Sequence, residues 1–282
     1  MKIKISADST CDLSQELIEK YNIGITPLYV VKDGVALKDG VEITPQEIYA
    51  HVAAGGDLCS TAAVSVSDYI EYFSRELEDC DEIVHLHISS DMSACYQNAC
   101  LAAAELGHVY PVDSRNLSTA IALLVLAGAD MAREGAMSGQ EIQAALNGLR
   151  DKLDTSFLVD TLAYLRKGGR CSAVAALGAN LLSLKPCIEV HDGKMGVAKK
   201  YRGTMQKCLL QYVHDRLAGR DDIDTKRIFI TDSNGFTDEQ REEIKAEVLR
   251  CQNFEEVYFT RAGGTISCHC GPGTLGILYL HK

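Results

Sequence analysis

Strand-like and helix-like segments alternate along the first half of the sequence, and this alternation limits the folds that are open to the chain. Residues 2–8, 82–90 and 108–115 have the apolar content of buried strands, and segments with helical periodicity follow each of them. Strands that alternate with helices of about 10 to 15 residues are typical of a parallel sheet that is covered on both faces. We therefore predict a parallel-sheet α/β/α unit for this half.

The second half is patterned differently. A hairpin that turns at Asp192-Gly193 and a closing strand over 274–281 are mixed with helical segments, one of them over 173–182. This pattern favours a mixed or antiparallel sheet with helices on one face. With 282 residues, the chain is long enough for two units. We predict an α/β fold of two domains, 1–155 and 156–282, with a small hairpin insertion at about 25–45.

Composition excludes several classes of function. The net charge of −11 repels phosphate backbones, so nucleic acids and anionic membranes are unsuitable partners. The longest apolar run, Ala120 to Ala129, is about half of what a bilayer crossing requires, which predicts a buried helix and no stable membrane insertion. Eleven cysteines without a signal peptide before them indicate reduced thiols and a cytoplasmic protein.

The segment Ser267-Cys268-His269-Cys270-Gly271 poses the sharpest chemical question. The sequence contains no CxxC pair, and on a strand the two cysteines would share one face while His269 would face the other way. One tetrahedral metal could not easily take all three, so packed thiols are favoured over a zinc site or a redox pair, and we expect no metal. His269 precedes a Gly-Pro-Gly loop and could be a structural residue or a ligand contact.

Hydroxyl groups form two further candidate sites. Ser60 and Thr61 lie in a predicted loop before the helix that starts at Val66, where they could bind an anion or satisfy the loop's own backbone. Ser93 follows the strand over 82–90, and we predict that it caps the next helix or faces a ligand at the carboxyl edge of the sheet. We expect Asp91 to face solvent, because its charge would oppose a bound carboxylate.

Basic residues form two clusters on this acidic chain, and they include Arg170 and Arg202. Such clusters are either a docking patch for an acidic partner or phosphate, or simply solvated charges. There is no Walker loop, GxSxG elbow or HExxH motif, and we identify no GxGxxG fingerprint. The residues alone therefore identify no enzyme.

Taken together and in order, several stretches resemble the DegV family, the bacterial fatty-acid-binding proteins of the fatty acid kinase system. They span nearly the whole chain and comprise Asp8–Thr10, Ser60-Thr61, Ser89–Ala99, Val112–Arg115, Thr161–Arg170, Leu181–Pro186 and His269–Gly276. The sequence departs from the family's glycine-rich turn at Asp91, Ala94 and Cys95, and from its usual threonine at Cys270. These departures affect ligand choice and local backbone geometry more than the fold.

The resemblance implies a carrier rather than an enzyme. It implies one long-chain fatty acid, such as palmitate, stearate or oleate, in an apolar tunnel, with its carboxylate near Ser60, Thr61, Ser93 and His269. It further implies that a separate ATP-dependent fatty acid kinase makes the acyl phosphate for phospholipid synthesis, and that Arg170 and Arg202 serve that interaction. No cofactor is implied, and we expect a monomer.

Two alternatives to the carrier stay open. One is a hydrolase or a kinase-like enzyme for small molecules that uses His269 as a base, with or without zinc. The other is a family member whose ligand has changed to another amphipathic carboxylate or to a regulatory molecule.

Overall fold

The computed structural model describes residues 1–172 and 184–282. The helix predicted over 173–182 and the first part of the Leu181–Pro186 motif lie outside the described residues. The helices, numbered along the described chain, are α1 Gln15–Tyr21, α2 Pro45–Ala53, α3 Val66–Glu76, α4 Cys95–Leu106, α5 Thr119–Glu134, α6 Gly139–Leu149, α7 Ala163–Gly168, α8 Met205–Leu217, α9 Asp238–Cys251 and α10 Gly264–Cys270.

Thirteen strands are found in the described residues. They are β1 Ile3–Asp8, β2 Gly24–Thr26, β3 Tyr29–Lys32, β4 Val35–Lys38, β5 Ser60–Ala62, β6 Glu82–His87, β7 Val109–Asp113, β8 Leu153–Leu158, β9 Leu184–His191, β10 Lys194–Arg202, β11 Ile223–Asp232, β12 Glu256–Arg261 and β13 Leu275–His281.

The first half of the chain builds a four-stranded parallel sheet in the order β2-β1-β6-β7. Side chains alternate across β6: Ile83 packs towards α3 and α4, whereas Val84 and Leu86 pack towards α5 and α6. Helices therefore cover both faces of this sheet, as the sequence predicts.

The second half builds a six-stranded mixed sheet in the order β10-β9-β8-β13-β11-β12. Only the pair β11 and β12 is parallel, and the other pairs are antiparallel. Helices α8 and α9 cover one face, where Ile228, Ile230 and Ile277 form the core. The predicted boundary between residues 155 and 156 remains a prediction, and it falls inside β8.

Helix α5 lies between the two sheets. Ile121 and Leu124 pack with the four-stranded sheet, while Leu123 and Leu126 pack with Phe229 of β11. Because both sides of the helix meet a sheet, it is apolar all round rather than amphipathic. The prediction of a buried helix for this apolar run is confirmed, and no helix among the described residues has the length and apolarity to cross a membrane.

A small third sheet stands beside these layers. Strands β3 and β4 form a hairpin, and β5 pairs with β3 to give the order β4-β3-β5, antiparallel throughout. The hairpin turns at Asp33-Gly34, where both residues have positive φ, at 52° and 80°, as a two-residue turn of type I′ requires. Helix α2 follows, and Thr44 and Glu47 form a capping box at its start.

Candidate functional site

Helix α10 carries His269, and Asp39 holds the start of this helix in place. The Asp39 carboxylate is buried and accepts hydrogen bonds from the backbone N–H groups of Gly264 (2.8 Å) and Thr265 (3.0 Å) and from the hydroxyl of Ser9 (3.0 Å). It therefore satisfies two of the N–H groups that a helix leaves unpaired at its first turn. No local pattern in the sequence marks Asp39 as the residue that positions α10, so this role was missed from the sequence.

Glycine at position 264 allows this contact. A Cβ atom at Gly264 would lie 2.5 Å from Asp39 Oδ1, closer than two such atoms can approach. Next to it, Asp12 accepts hydrogen bonds from Gly263 N–H (2.8 Å) and from the hydroxyl of Ser118 (2.6 Å). Two buried aspartates thus attach the start of α10 to the first half of the chain.

His269 lies beside Thr61, and His269 Nε2 is 2.9 Å from Thr61 Oγ1. The expected strand around Cys268–Cys270 is wrong, because the segment forms the last turn of α10. The expected loop at Ser60-Thr61 is also wrong, because these residues belong to β5. Side chains alternate along a strand, so Thr61 points to His269 while Ser60 is exposed and lies off the cavity described below.

Ser93 lies between β6 and α4 and is partly buried. The prediction that it is the N-cap of α4 is wrong, since Ala94 holds that position without a side-chain cap. Ser93 Oγ still accepts from Cys95 N–H at 3.3 Å. Asp91 is exposed, as expected, and its carboxylate lies 3.7 Å from the ammonium group of Lys194.

The two arginines occupy different places. Arg170 follows α7, donates to the carbonyl groups of Met92 (3.4 Å) and Gly168 (2.7 Å), and lines the cavity. Arg202 ends β10, is exposed and does not line the cavity. The structure therefore brings Thr61, Ser93, Arg170 and His269 to one cavity and leaves Ser60 and Arg202 outside it.

The cavity lies between the two large sheets and has a volume of about 250 Å³. One buried water needs only roughly 10–15 Å³, so the space suits a much larger ligand. Its apolar walls come from both halves of the chain and include Ile88, Met92, Leu117, Phe157, Leu165, Met195 and Leu278. Sequence patterning did not single out these residues, because an apolar side chain beside a cavity has the same sequence signature as one in a packed interior.

Burial sets the protonation state of His269. Desolvation, with a smaller contribution from the positive charge of Arg170, lowers the pKa of His269 to about 4, so the ring is neutral at pH 7. Its Nδ1 atom is buried and has no hydrogen-bond partner among the described residues. A histidine that acts as a general base usually has a pKa near the working pH and a partner that orients its second nitrogen, and His269 has neither among the described residues.

The flanking cysteines are buried thiols. Burial raises the pKa of Cys270 to about 12 and raises that of Cys268 further, which keeps both protonated and unreactive. Cys268 packs with Val30, Ile48 and Cys59. Within the described parts of the chain, residues 268–270 do not bring their donor atoms together as a metal-binding group.

The segment after α10 shows that one statement made from the sequence, the absence of a GxGxxG pattern, was wrong. Gly271, Gly273 and Gly276 do fit the spacing GxGxxG. Gly271 and Gly273 lie between α10 and β13, and Gly276 lies in β13, whereas the dinucleotide fingerprint joins a strand to the start of a helix. The match is therefore one of spacing only.

Comparison with known proteins identifies relatives along the whole chain. A family model described as "Uncharacterised protein, DegV family" matches residues 2–282. A DegV domain-containing protein of Deinococcus radiodurans is 31% identical over 278 residues, which cover 98% of each chain.

Two solved structures extend the comparison. A fatty-acid-binding DegV family protein from Thermus thermophilus is 32% identical, with a TM-score of 0.87 and complete coverage of both chains. A stearic-acid-binding protein from Eubacterium ventriosum is 26% identical, with a TM-score of 0.83 and coverage of 99% of this chain and 98% of that one.

Proposed function

This chain belongs to the DegV family, and from that premise we propose that it binds one long-chain fatty acid in the cavity between its two large sheets. The cavity is the observation that supports this most strongly, because it is lined mainly by apolar side chains, and Thr61, Ser93, Arg170 and His269 are among its polar lining residues. Two solved relatives are themselves described as binding fatty acids.

The acyl chain would supply most of the affinity. Each methylene group that leaves water contributes about 0.8 kcal/mol, so one added methylene strengthens binding roughly fourfold while the cavity has room. Walls such as Phe157 and Leu278 offer no hydrogen bonds through their side chains, and they suit an alkyl chain better than a polar metabolite.

We place the carboxylate beside Thr61, Ser93 and His269. Hydroxyl groups can donate to a carboxylate without neutralising it, which leaves its oxygen nucleophilic. The neutral state of His269 has the same consequence, and Arg170 supplies a positive charge nearby that favours an anion. The exposed Ser60 has no part in this arrangement.

Mass spectrometry of the freshly purified protein tests the binding proposal. We expect a native mass that exceeds the sequence mass by one fatty acid, and we expect denaturation and extraction to release that acid. Rebinding of the extracted acid to the stripped protein should be saturable at one molecule per chain. A polar ligand in its place, or a stripped protein that does not rebind long-chain fatty acids, would contradict the proposal.

We further propose that the bound carboxylate is presented to an ATP-dependent fatty acid kinase, whose acyl phosphate product enters phospholipid synthesis. Arg170 lines the cavity near His269, and Arg202 is exposed on β10. Such cations can attract an acidic partner surface. Under this proposal the chain itself performs no chemistry.

A pair of variants separates ligand binding from presentation. Thr61→Val keeps the shape of the side chain but removes a hydrogen bond to a charged group, worth about 1.5–3 kcal/mol, so we expect fatty-acid affinity to fall about tenfold to a hundredfold. Arg202→Glu should keep wild-type affinity but slow acyl phosphate formation with the kinase. Equal kinase rates for Arg202→Glu and wild type would contradict the docking role of Arg202, and unchanged affinity of Thr61→Val would contradict the carboxylate placement.

A further inference from the structure

Three metal-binding side chains converge on the outer face of α8 and α9, away from the cavity. His214 lies in the last turn of α8, and Glu247 and Cys251 are four residues apart on α9, a spacing that places both on one face of the helix. None of these three residues lines the cavity described above. We expected no metal from the sequence, where only Cys268–Cys270 was considered, and the sequence did not reveal this separate cluster.

The three donor atoms are mutually close. His214 Nδ1 lies 3.5 Å from Glu247 Oε1 and 3.9 Å from Cys251 Sγ. The Cys251 Sγ to Glu247 Oε1 distance is 3.5 Å. These separations form a nearly equilateral triangle of one nitrogen, one oxygen and one sulfur atom.

Tetrahedral zinc requires a triangle of this size. Zinc bonds of about 2.0–2.1 Å to nitrogen, 2.0–2.2 Å to oxygen and 2.3 Å to sulfur place bound donor atoms about 3.3–3.7 Å apart at tetrahedral angles. The observed distances differ from that range by a few tenths of an ångström at most. A set that combines thiolate, imidazole and carboxylate suits zinc better than magnesium or calcium, which prefer oxygen donors.

Arg250 binds two of the three donor groups, and it would compete with the ion for them. Its Nη2 donates to His214 Nδ1 at 3.1 Å, and its guanidinium group pairs with Glu247 through Nε (2.8 Å) and Nη2 (2.5 Å). The Arg250 side chain is 61% exposed, so it can leave for solvent. Exposed ion pairs of this kind contribute little to stability. When Arg250 leaves, the positive charge of the divalent cation takes the place of the guanidinium charge beside Glu247.

The protons can also be released. Burial and the neighbouring Glu247 raise the pKa of the Cys251 thiol, while Arg250 lowers the pKa of Glu247. When a thiol coordinates a metal ion, the thiol loses its proton to solvent. Glu247 can coordinate as a carboxylate, the form that Arg250 favours.

We propose that His214, Glu247 and Cys251 form a zinc site with three protein ligands and a fourth position open to solvent. The ion joins the C-terminal turns of α8 and α9, the two helices that cover the outer face of the six-stranded sheet. The three ligands come together only when α8 and α9 are folded and packed. Zinc therefore binds the native state and raises its stability.

Metal titration of the full-length protein tests the site, after treatment with a chelator and with its thiols kept reduced. Cobalt(II) is the probe: we expect a thiolate-to-cobalt charge-transfer band and intense visible bands at one cobalt per chain, both removed by zinc. Cys251→Ser and His214→Ala should each lower zinc affinity roughly a hundredfold or more, given that even outer-shell changes cost 10–100-fold.

Two matched variants serve as controls. Cys80→Ser removes another partly buried thiol, one that donates to the Glu76 carbonyl, and it should leave the cobalt bands unchanged. Arg250→Ala removes the competing guanidinium group and should strengthen zinc binding. The proposal fails if cobalt gives no thiolate band with the wild-type protein, or if the bands survive in both Cys251→Ser and His214→Ala.

Discussion

Replacing Ala262 by phenylalanine should lower fatty-acid affinity about a thousandfold. Ala262 is buried between β12 and α10, lines the cavity, and has its backbone N–H fixed to the Asp232 carbonyl at 2.8 Å. The added ring would take the space of about five methylene groups of the ligand, at about 0.8 kcal/mol each. Titration of the stripped variant with a long-chain fatty acid measures the loss.

The stability of the ligand-free variant distinguishes a blocked cavity from a damaged fold. A ring that enters empty space buries apolar surface without overpacking, so the free energy of unfolding in urea should equal or exceed that of the stripped wild-type protein. Ala262→Ser, which adds one small atom, should retain affinity within about threefold. Wild-type affinity in Ala262→Phe would show that the acyl chain does not lie in this cavity.

Most of the fold could be predicted from local sequence patterns. Apolar strands followed by periodic helices correctly indicated the parallel sheet, and the hairpin expected at about 25–45 is found as β3 and β4. The unbroken apolar character of α5 correctly indicated complete burial. These features depend on residues that are neighbours in the sequence, so they can be predicted from a single sequence.

The site was less predictable because its geometry depends on distant residues. The Cys268–Cys270 segment is helical rather than extended, and the carboxylate that receives the first N–H groups of its helix comes from Asp39, 225 residues before Gly264. Likewise, Thr61 faces His269 only because β5 pairs with β3. Residue patterns named His269, Thr61, Ser93 and Arg170 as separate candidates, and the resemblance to the family related them to one ligand, but neither revealed that Ser60 does not line the cavity.

The zinc cluster is a second example of long-range geometry. Glu247 and Cys251 have the spacing of one helical face, but such pairs are common on charged helices. Only the packing of α8 on α9 brings His214 to them, 3.5 Å and 3.9 Å from their donor atoms. Local motifs such as CxxC reveal metal sites whose ligands lie close in sequence, and this one is built from two helices.

Replacing Asp39 by alanine should lower the free energy of unfolding by about 2–4 kcal/mol, because it leaves the buried N–H groups of Gly264 and Thr265 without an acceptor. Helix α10 would then hold His269 less firmly beside Thr61, so we also expect weaker fatty-acid binding. Urea unfolding of the stripped protein and ligand titration measure the two effects. Asp39→Asn keeps one acceptor oxygen and should lose about half as much stability.

A second helix cap provides the control for Asp39. Thr237 caps α9 by accepting from Gln240 N–H at 3.2 Å, on a helix that contributes no residue to the cavity lining. Thr237→Ala should therefore cost about 1 kcal/mol and leave fatty-acid affinity unchanged. If Asp39→Ala behaved like Thr237→Ala in both measurements, α10 would be held by its packing and by Asp12. If instead only Asp39→Ala loses affinity, a carboxylate in the hairpin region determines the position of a ligand-binding histidine at the other end of the chain.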